Sequence, residues 1–253
     1  MRTFAAVVVI GVVAGLLTGC VTSSTGGLPE AAEPEKRVEA HLDLARGYLT
    51  NRDYVRARAP LKRALEIDPR AVEAHVLRAV LSEAEKDPHL AEQHYKTALR
   101  YDPDDSQALN NYGSFLYGQG RYTEALTPLR KLVKDHDYRA RSQAYENLGL
   151  AELKAGDPAL AKDAFSRALM LNFAQSRSSL ELADIAYVNG EYDEARDYYD
   201  GFRVRARQSP RSLCLGMKLG ATFGDSDQLA SYALALQNLY PNSPEAKQCE
   251  VPK

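Results

Sequence analysis

The chain has 253 residues, 45% of them hydrophobic and 26% charged, with no tryptophan and a formal charge of −2 at neutral pH. This is the balance of a folded soluble protein; it excludes wholesale disorder and gives no broad basic face for nucleic acid. The length accommodates one or two ordinary domains.

Met1-Arg2 supplies one positive charge, after which Phe4 to Leu17 runs without another. A helix needs about 20 residues to cross ~30 Å of hydrocarbon, so this stretch is too short to span a bilayer and fits the apolar region of a secretory signal. It closes on Leu17-Thr18-Gly19-Cys20. That ending resembles the bacterial lipobox, in which the cysteine thiol takes a diacylglycerol and the signal is cut just before it. Residues 1–19 are then expected to be a lipoprotein signal peptide and Cys20 the site of lipidation. One acyl chain binds membranes marginally, with K on the order of 10⁴ M⁻¹, whereas two or three anchor stably. Val21 follows the cysteine; an Asp there would imply inner-membrane retention, so the resemblance implies the outer membrane, with the chain facing the periplasm. Residues 20–37 are small, polar and rich in Gly and Pro, the composition of a flexible tether. The sixteen residues from Val21 to Lys36 would reach at most about 50 Å at ~3.3 Å each.

From residue 38 the chain repeats. Ala57, Ala91, Ala125, Ala161 and Ala195 are spaced by 34, 34, 36 and 34 residues. Four residues after each comes a bulky side chain (Leu61, Tyr95, Leu129, Phe165, Tyr199), and twelve before each a small one (Ala45, Ala79, Gly113, Gly149, Ala183). The pattern resembles the tetratricopeptide repeat, and its logic is steric. Small residues sit where the two helices of a hairpin cross, and the bulky one fills the space beside that contact. The expected fold is all-α, an α-α superhelix of about six helical hairpins over 38–243. The units fall at about 38–71, 72–105, 106–139, 142–175 and 176–209, with a degenerate sixth at 210–243 and a tail at 244–253. Asp68-Pro69 and Asp102-Pro103 close the first two units, while Asp137 and Phe173 stand at the proline position of the third and fourth. Pro60 and Pro128 fall inside second helices and read as structural.

First helices line the concave side of such a stack. Positions five, nine and twelve of each unit share a face and are expected to form a partner groove. The candidates are Leu42, Val76, Val80, Asn110, Ser114, Tyr117, Glu146, Leu150, Leu153, Asp184 and Tyr187. Many are apolar although packing inside the hairpin does not require it, the mark of a protein contact receiving a helix or an extended segment. Catalytic patterns are missing. The five histidines form no HExxH pair, no Lys-Ser/Thr follows the glycines near Gly118, and GxSxG does not occur. His41 and His75 share a repeat position and read as packing. No enzyme activity, metal, cofactor or small-molecule substrate is expected.

Near the C-terminus, Arg203, Arg205, Arg207 and Arg211 gather between units five and six. They read as a solvated loop or as a contact patch for an acidic partner or anionic lipid. Cys214 and Cys249 lie 35 residues apart, close to one repeat, which puts a disulfide within reach of neighbouring helices in an oxidising compartment.

Several stretches narrow the reading: Pro60-Leu-Lys-Arg-Ala-Leu-Glu-Ile-Asp-Pro69, Asn110-Asn-Tyr-Gly-Ser-Phe-Leu-Tyr117, Glu146-Asn-Leu-Gly-Leu150, Leu182-Ala-Asp184, Arg211-Ser-Leu213 and Tyr240-Pro241. Together with the lipobox, the unit count and the length, the chain resembles the PilF/PilW pilotin family of type IV pilus biogenesis lipoproteins. The resemblance implies a protein that binds subunits of an outer-membrane secretin and promotes their localisation and multimerisation. The competing expectation is a generic outer-membrane adaptor of the same repeat type, serving cell-envelope enzymes.

Overall fold

The computed structural model describes residues 33–251; the expected signal peptide, Cys20 and residues 20–32 of the expected tether lie outside them, while residues 34–37 of that tether are helical. Among the described residues there are thirteen helices and no strand. They pair in chain order: α1 (Pro34–Thr50) with α2 (Tyr54–Ile67), α3 (Val72–Ala84) with α4 (Pro88–Tyr101), α5 (Ser106–Gly118) with α6 (Tyr122–Leu132). Then come α7 (Arg141–Ala155) with α8 (Pro158–Leu171), α9 (Ser176–Val188) with α10 (Tyr192–Arg203), α11 (Pro210–Thr222) with α12 (Ser226–Leu239), and a final short α13 (Pro244–Gln248). Helix α1 begins four residues earlier than the repeat pattern indicates. Pro34 suits a first helical position with its preset φ, and Glu35 meets the positive end of the helix dipole.

Local sequence explains why each helix starts and stops. Asp53, Asp87, Asp105, Asp157 and Asp225 each cap a helix, the side chain accepting a hydrogen bond from the backbone N–H three residues on. Each turn within a hairpin carries one residue in the left-handed region: Gly120, Gly156, Gly190 and Gly224 in the last four, Arg52 and Lys86 in the first two. Pro60 and Pro128 are buried, and α2 and α6 run on past them.

The hairpin contact is the one that the small–bulky pairing predicts. A Cβ built on Gly113 would lie 2.6 Å from Leu129 Cγ, and one on Gly149 2.7 Å from Phe165 Cε1. Ala45, Ala79 and Ala183 are fully buried, as are Leu61 and the phenol rings of Tyr95 and Tyr199. Only a missing or minimal side chain lets the helices approach this closely. The core is therefore serial. One buried cluster joins units one and two, a second spans units two to four, a third joins units four and five, and a fourth covers units five and six.

The sixth unit is a full hairpin, with two glycines in α11. A Cβ on Gly216 would collide with Tyr199 and Tyr232, and one on Gly220 would come 3.1 Å from the Leu229 backbone nitrogen. Cys214 and Cys249 are joined in a disulfide, Cα–Cα 5.8 Å, which ties the end of α13 to α11. The expected C-terminal tail is thus partly helical and covalently pinned.

Candidate functional site

The inner wall of the stack is narrower than positions five, nine and twelve suggest. Leu42, Val76, Glu146 and Leu150 are buried, as is Leu180, the position-five residue of unit five. The reason is that first helices pack directly on one another between units, so position five of units one, two, four and five, and Leu150 at position nine of unit four, point at the next first helix; position five of unit three, Asn110, does not. Leu42 shares a core cluster with Ala74 and Leu77 of α3; Val76 shares one with Ala108 and Leu109 of α5; Leu150 packs with Leu182 and Ile185 of α9. Glu146 accepts hydrogen bonds from the Ser178 backbone N–H at 3.1 Å and from its hydroxyl at 2.8 Å, satisfying a buried polar group across the α7–α9 boundary. These four are structural joints between units, not groove residues.

Ser114 remains exposed, and Val80, Asn110, Tyr117, Leu153, Asp184 and Tyr187 are half-buried. They fall into two zones. The first is polar and lies across α5 and α7. Asn147 Nδ2 donates to Asn110 Oδ1 at 3.2 Å and to Ser114 Oγ at 3.4 Å, and Gln143 donates to Asn147 at 3.3 Å. These side chains form an amide ladder of Gln143, Asn147 and Asn110. Each amide group both donates and accepts, so the ladder matches the alternating N–H and C=O groups of an extended backbone. Asn147 sits one residue beyond position five, which is why the positional rule passed over it; its amide type was the available signal.

The second zone is mixed. Tyr117 meets Tyr122 and Tyr187 meets Tyr192 in tilted ring contacts, centroids 5.3 and 5.2 Å apart, at the turns of units three and five. Leu153, Ile185 and Val188 line a hollow of about 210 Å³ with Asp184 and Arg211 at its rim. Arg211 does not belong to a free arginine loop. It sits in the first turn of α11, its guanidinium donates to both oxygens of Glu181 at 2.7 Å, and it contacts Asp184. Burial raises the Asp184 carboxyl above its usual range although Arg211 opposes the shift, whereas the hydrogen bonds to Glu181 raise Arg211 itself.

His75 is buried, Nε2 toward the Pro69 carbonyl at 3.0 Å and Nδ1 toward His94 Nδ1 at 3.1 Å. This pair was not expected, because α3 and α4 bring together residues 19 apart in sequence. Burial, with His75 and Arg78 adding to it, lowers His94 to about 4.

A tetratricopeptide-repeat family model matches residues 42–96, 83–145 and 146–210. Over 238 residues, 94% of each chain, the sequence is 42% identical to the type IV pilus assembly protein PilF of Pseudomonas aeruginosa. The chain belongs to the PilF family of type IV pilus biogenesis proteins. The family likeness extends to the fold. The solved structure of Pseudomonas aeruginosa PilF superposes with a TM-score of 0.82 at 43% identity, covering 85% of this chain and 96% of that one. PilW, described as a widely conserved type IV pilus biogenesis factor, gives 0.71 at 28% identity, over 83% of this chain and 96% of its own. Membership in the family thus rests on the whole stack of repeats and not on one motif.

Proposed function

We propose that this protein is an outer-membrane lipoprotein pilotin that binds secretin subunits and promotes their localisation and multimerisation for type IV pilus biogenesis. The observation that carries the proposal is the 42% identity to a type IV pilus assembly protein across 94% of both chains. The lipobox ending at Cys20 supports the anchor and the periplasm-facing location. The role needs no catalysis. A lipid at Cys20 fixes the stack to the membrane, and the amide ladder of Asn110, Gln143 and Asn147 grips an extended secretin segment. Confining both partners within the reach of a short tether raises their effective concentration.

Deleting the chain is expected to abolish secretin multimers and twitching motility; normal multimers would discard the pilotin reading and leave a general envelope adaptor. Cys20→Ala should move the protein from the membrane to the soluble periplasmic fraction. Asn110→Ala combined with Asn147→Ala should weaken co-purification of the secretin by roughly 30-fold, since each lost hydrogen bond is worth about 1 kcal/mol. Undiminished capture would move the grip away from α5 and α7.

A further inference from the structure

We propose that the loops closing units four and five form a second membrane contact, a patch that docks on an anionic phospholipid surface independently of any lipid at Cys20. The patch begins with an anomaly in the repeat. Phe173 stands where units one and two have the closing prolines Pro69 and Pro103, yet its side chain is 73% exposed and does no packing work for the fold. Met170 is 86% exposed beside it, and Val204, at the end of α10, is 72% exposed. The two loops are neighbours in space, because the Arg205 guanidinium carbon lies 5.3 Å from the centre of the Phe173 ring.

Charge separates these loops from their counterparts. Residues 170–177 and 201–211 contain no carboxylate, while the loops closing the first three units carry Asp68, then Asp102, Asp104 and Asp105, then Asp135 and Asp137. Arg203 is held by Asp200 at 2.6 Å and Arg211 by Glu181, so the charge of each is already matched. Arg177 and Arg207 are exposed, and among the described residues Arg205 contacts the Gly201 carbonyl and the Phe173 ring. The result is two adjoining loops that carry exposed apolar residues and cations but no carboxylate.

That shape favours lipid over an acidic protein. Protein anchors settle into pockets, whereas a bilayer accepts apolar side chains that project from loops, with guanidiniums at the level of the phosphates. The inference goes beyond the pilotin reading and does not depend on it.

The chain has no tryptophan, so Phe173→Trp in the full chain is a single reporter at an exposed site. With phosphatidylglycerol-rich vesicles its emission should move to shorter wavelength and be quenched by bromines on the acyl chains. Phosphatidylcholine vesicles should give neither effect, nor should a Val55→Trp reporter, exposed in unit one. Adding Arg205→Gln and Arg207→Gln should raise the lipid concentration needed by roughly 30-fold, each basic residue near the surface counting for about a fivefold change. Unchanged emission with phosphatidylglycerol overturns the proposal, as does an equal shift in both vesicle types or at Val55→Trp. A shift with soluble polyglutamate but not with vesicles also overturns it, assigning the patch to an acidic protein.

Discussion

A methyl group added at Gly149 would meet the Phe165 ring at 2.7 Å, with both groups in the middle of a closed hairpin. Gly149→Ala is therefore expected to destabilise the protein by about 1–3 kcal/mol, the usual cost of overpacking. Gly47 lies inside α1 with nothing within 4 Å of an added Cβ, so Gly47→Ala should instead stabilise by roughly 0.5–1 kcal/mol through helix propensity. Opposite shifts in melting temperature for one substitution type would establish that contact, and not glycine itself, sets the sign. His94 gives a pH dependence. Its folded-state pKa, about 4, lies below the ordinary 6.5 because burial and the facing His75 and Arg78 disfavour the imidazolium. Above pH 6.5 both folded and unfolded forms are neutral and stability is unaffected. As pH falls from 6.5 toward 4 only the unfolded chain takes the proton, so stability is lost across that window. The ring is partly exposed, so the loss should be on the order of 1–2 kcal/mol. His94→Gln should flatten the decline between pH 7 and pH 4.5 in denaturant titrations; an unaltered slope would assign it to other groups.

Among the elements, α13 is the least self-sufficient. It has five residues, none buried, too few to hold together as an isolated helix. The link from Cys249 to Cys214 closes a 35-residue separation, and the chain-entropy model gives such a loop roughly 3–4 kcal/mol. Cys249→Ser should therefore release α13 and expose α12, whose only buried residue is Leu236. Hydrogen exchange should quicken in α11–α13 and stay unchanged in α3–α8, because a stack of repeats couples mainly nearest neighbours. Uniform acceleration throughout would mean that the sixth unit governs the stability of the whole stack. Elements further in are joined by polar bonds as well as by core. Glu146 to Ser178 ties α7 to α9, and Arg211 to Glu181 ties α9 to α11.

On the scale of the whole molecule, function follows from which faces these joints leave free. Sealing position five in four of the units turns part of the apparent groove to cohesion between units. What remains is a polar ladder across units three and four, a mixed hollow at the unit-five turn, and a cationic apolar tip on the closing loops. The stack thus presents chemically different surfaces, the ladder drawn from units three and four and the hollow from units four to six. This is why disrupting one joint between units should alter binding as well as stability.

Spacing along the chain was sufficient for the hairpins. The 34-residue period, the small–bulky pairs and the capping aspartates act within about twenty residues, and local sterics and backbone hydrogen bonds decide them. The Cys214–Cys249 pairing was legible as a distance of nearly one repeat. Tertiary structure alone decided that Leu42, Val76, Glu146 and Leu150 are joints, that His75 meets His94, that Arg211 is paired and that Phe173 lies under Arg205. Those outcomes depend on the angle at which each hairpin leans on the next. That angle is a sum over many contacts between units, and no periodicity in one unit encodes it.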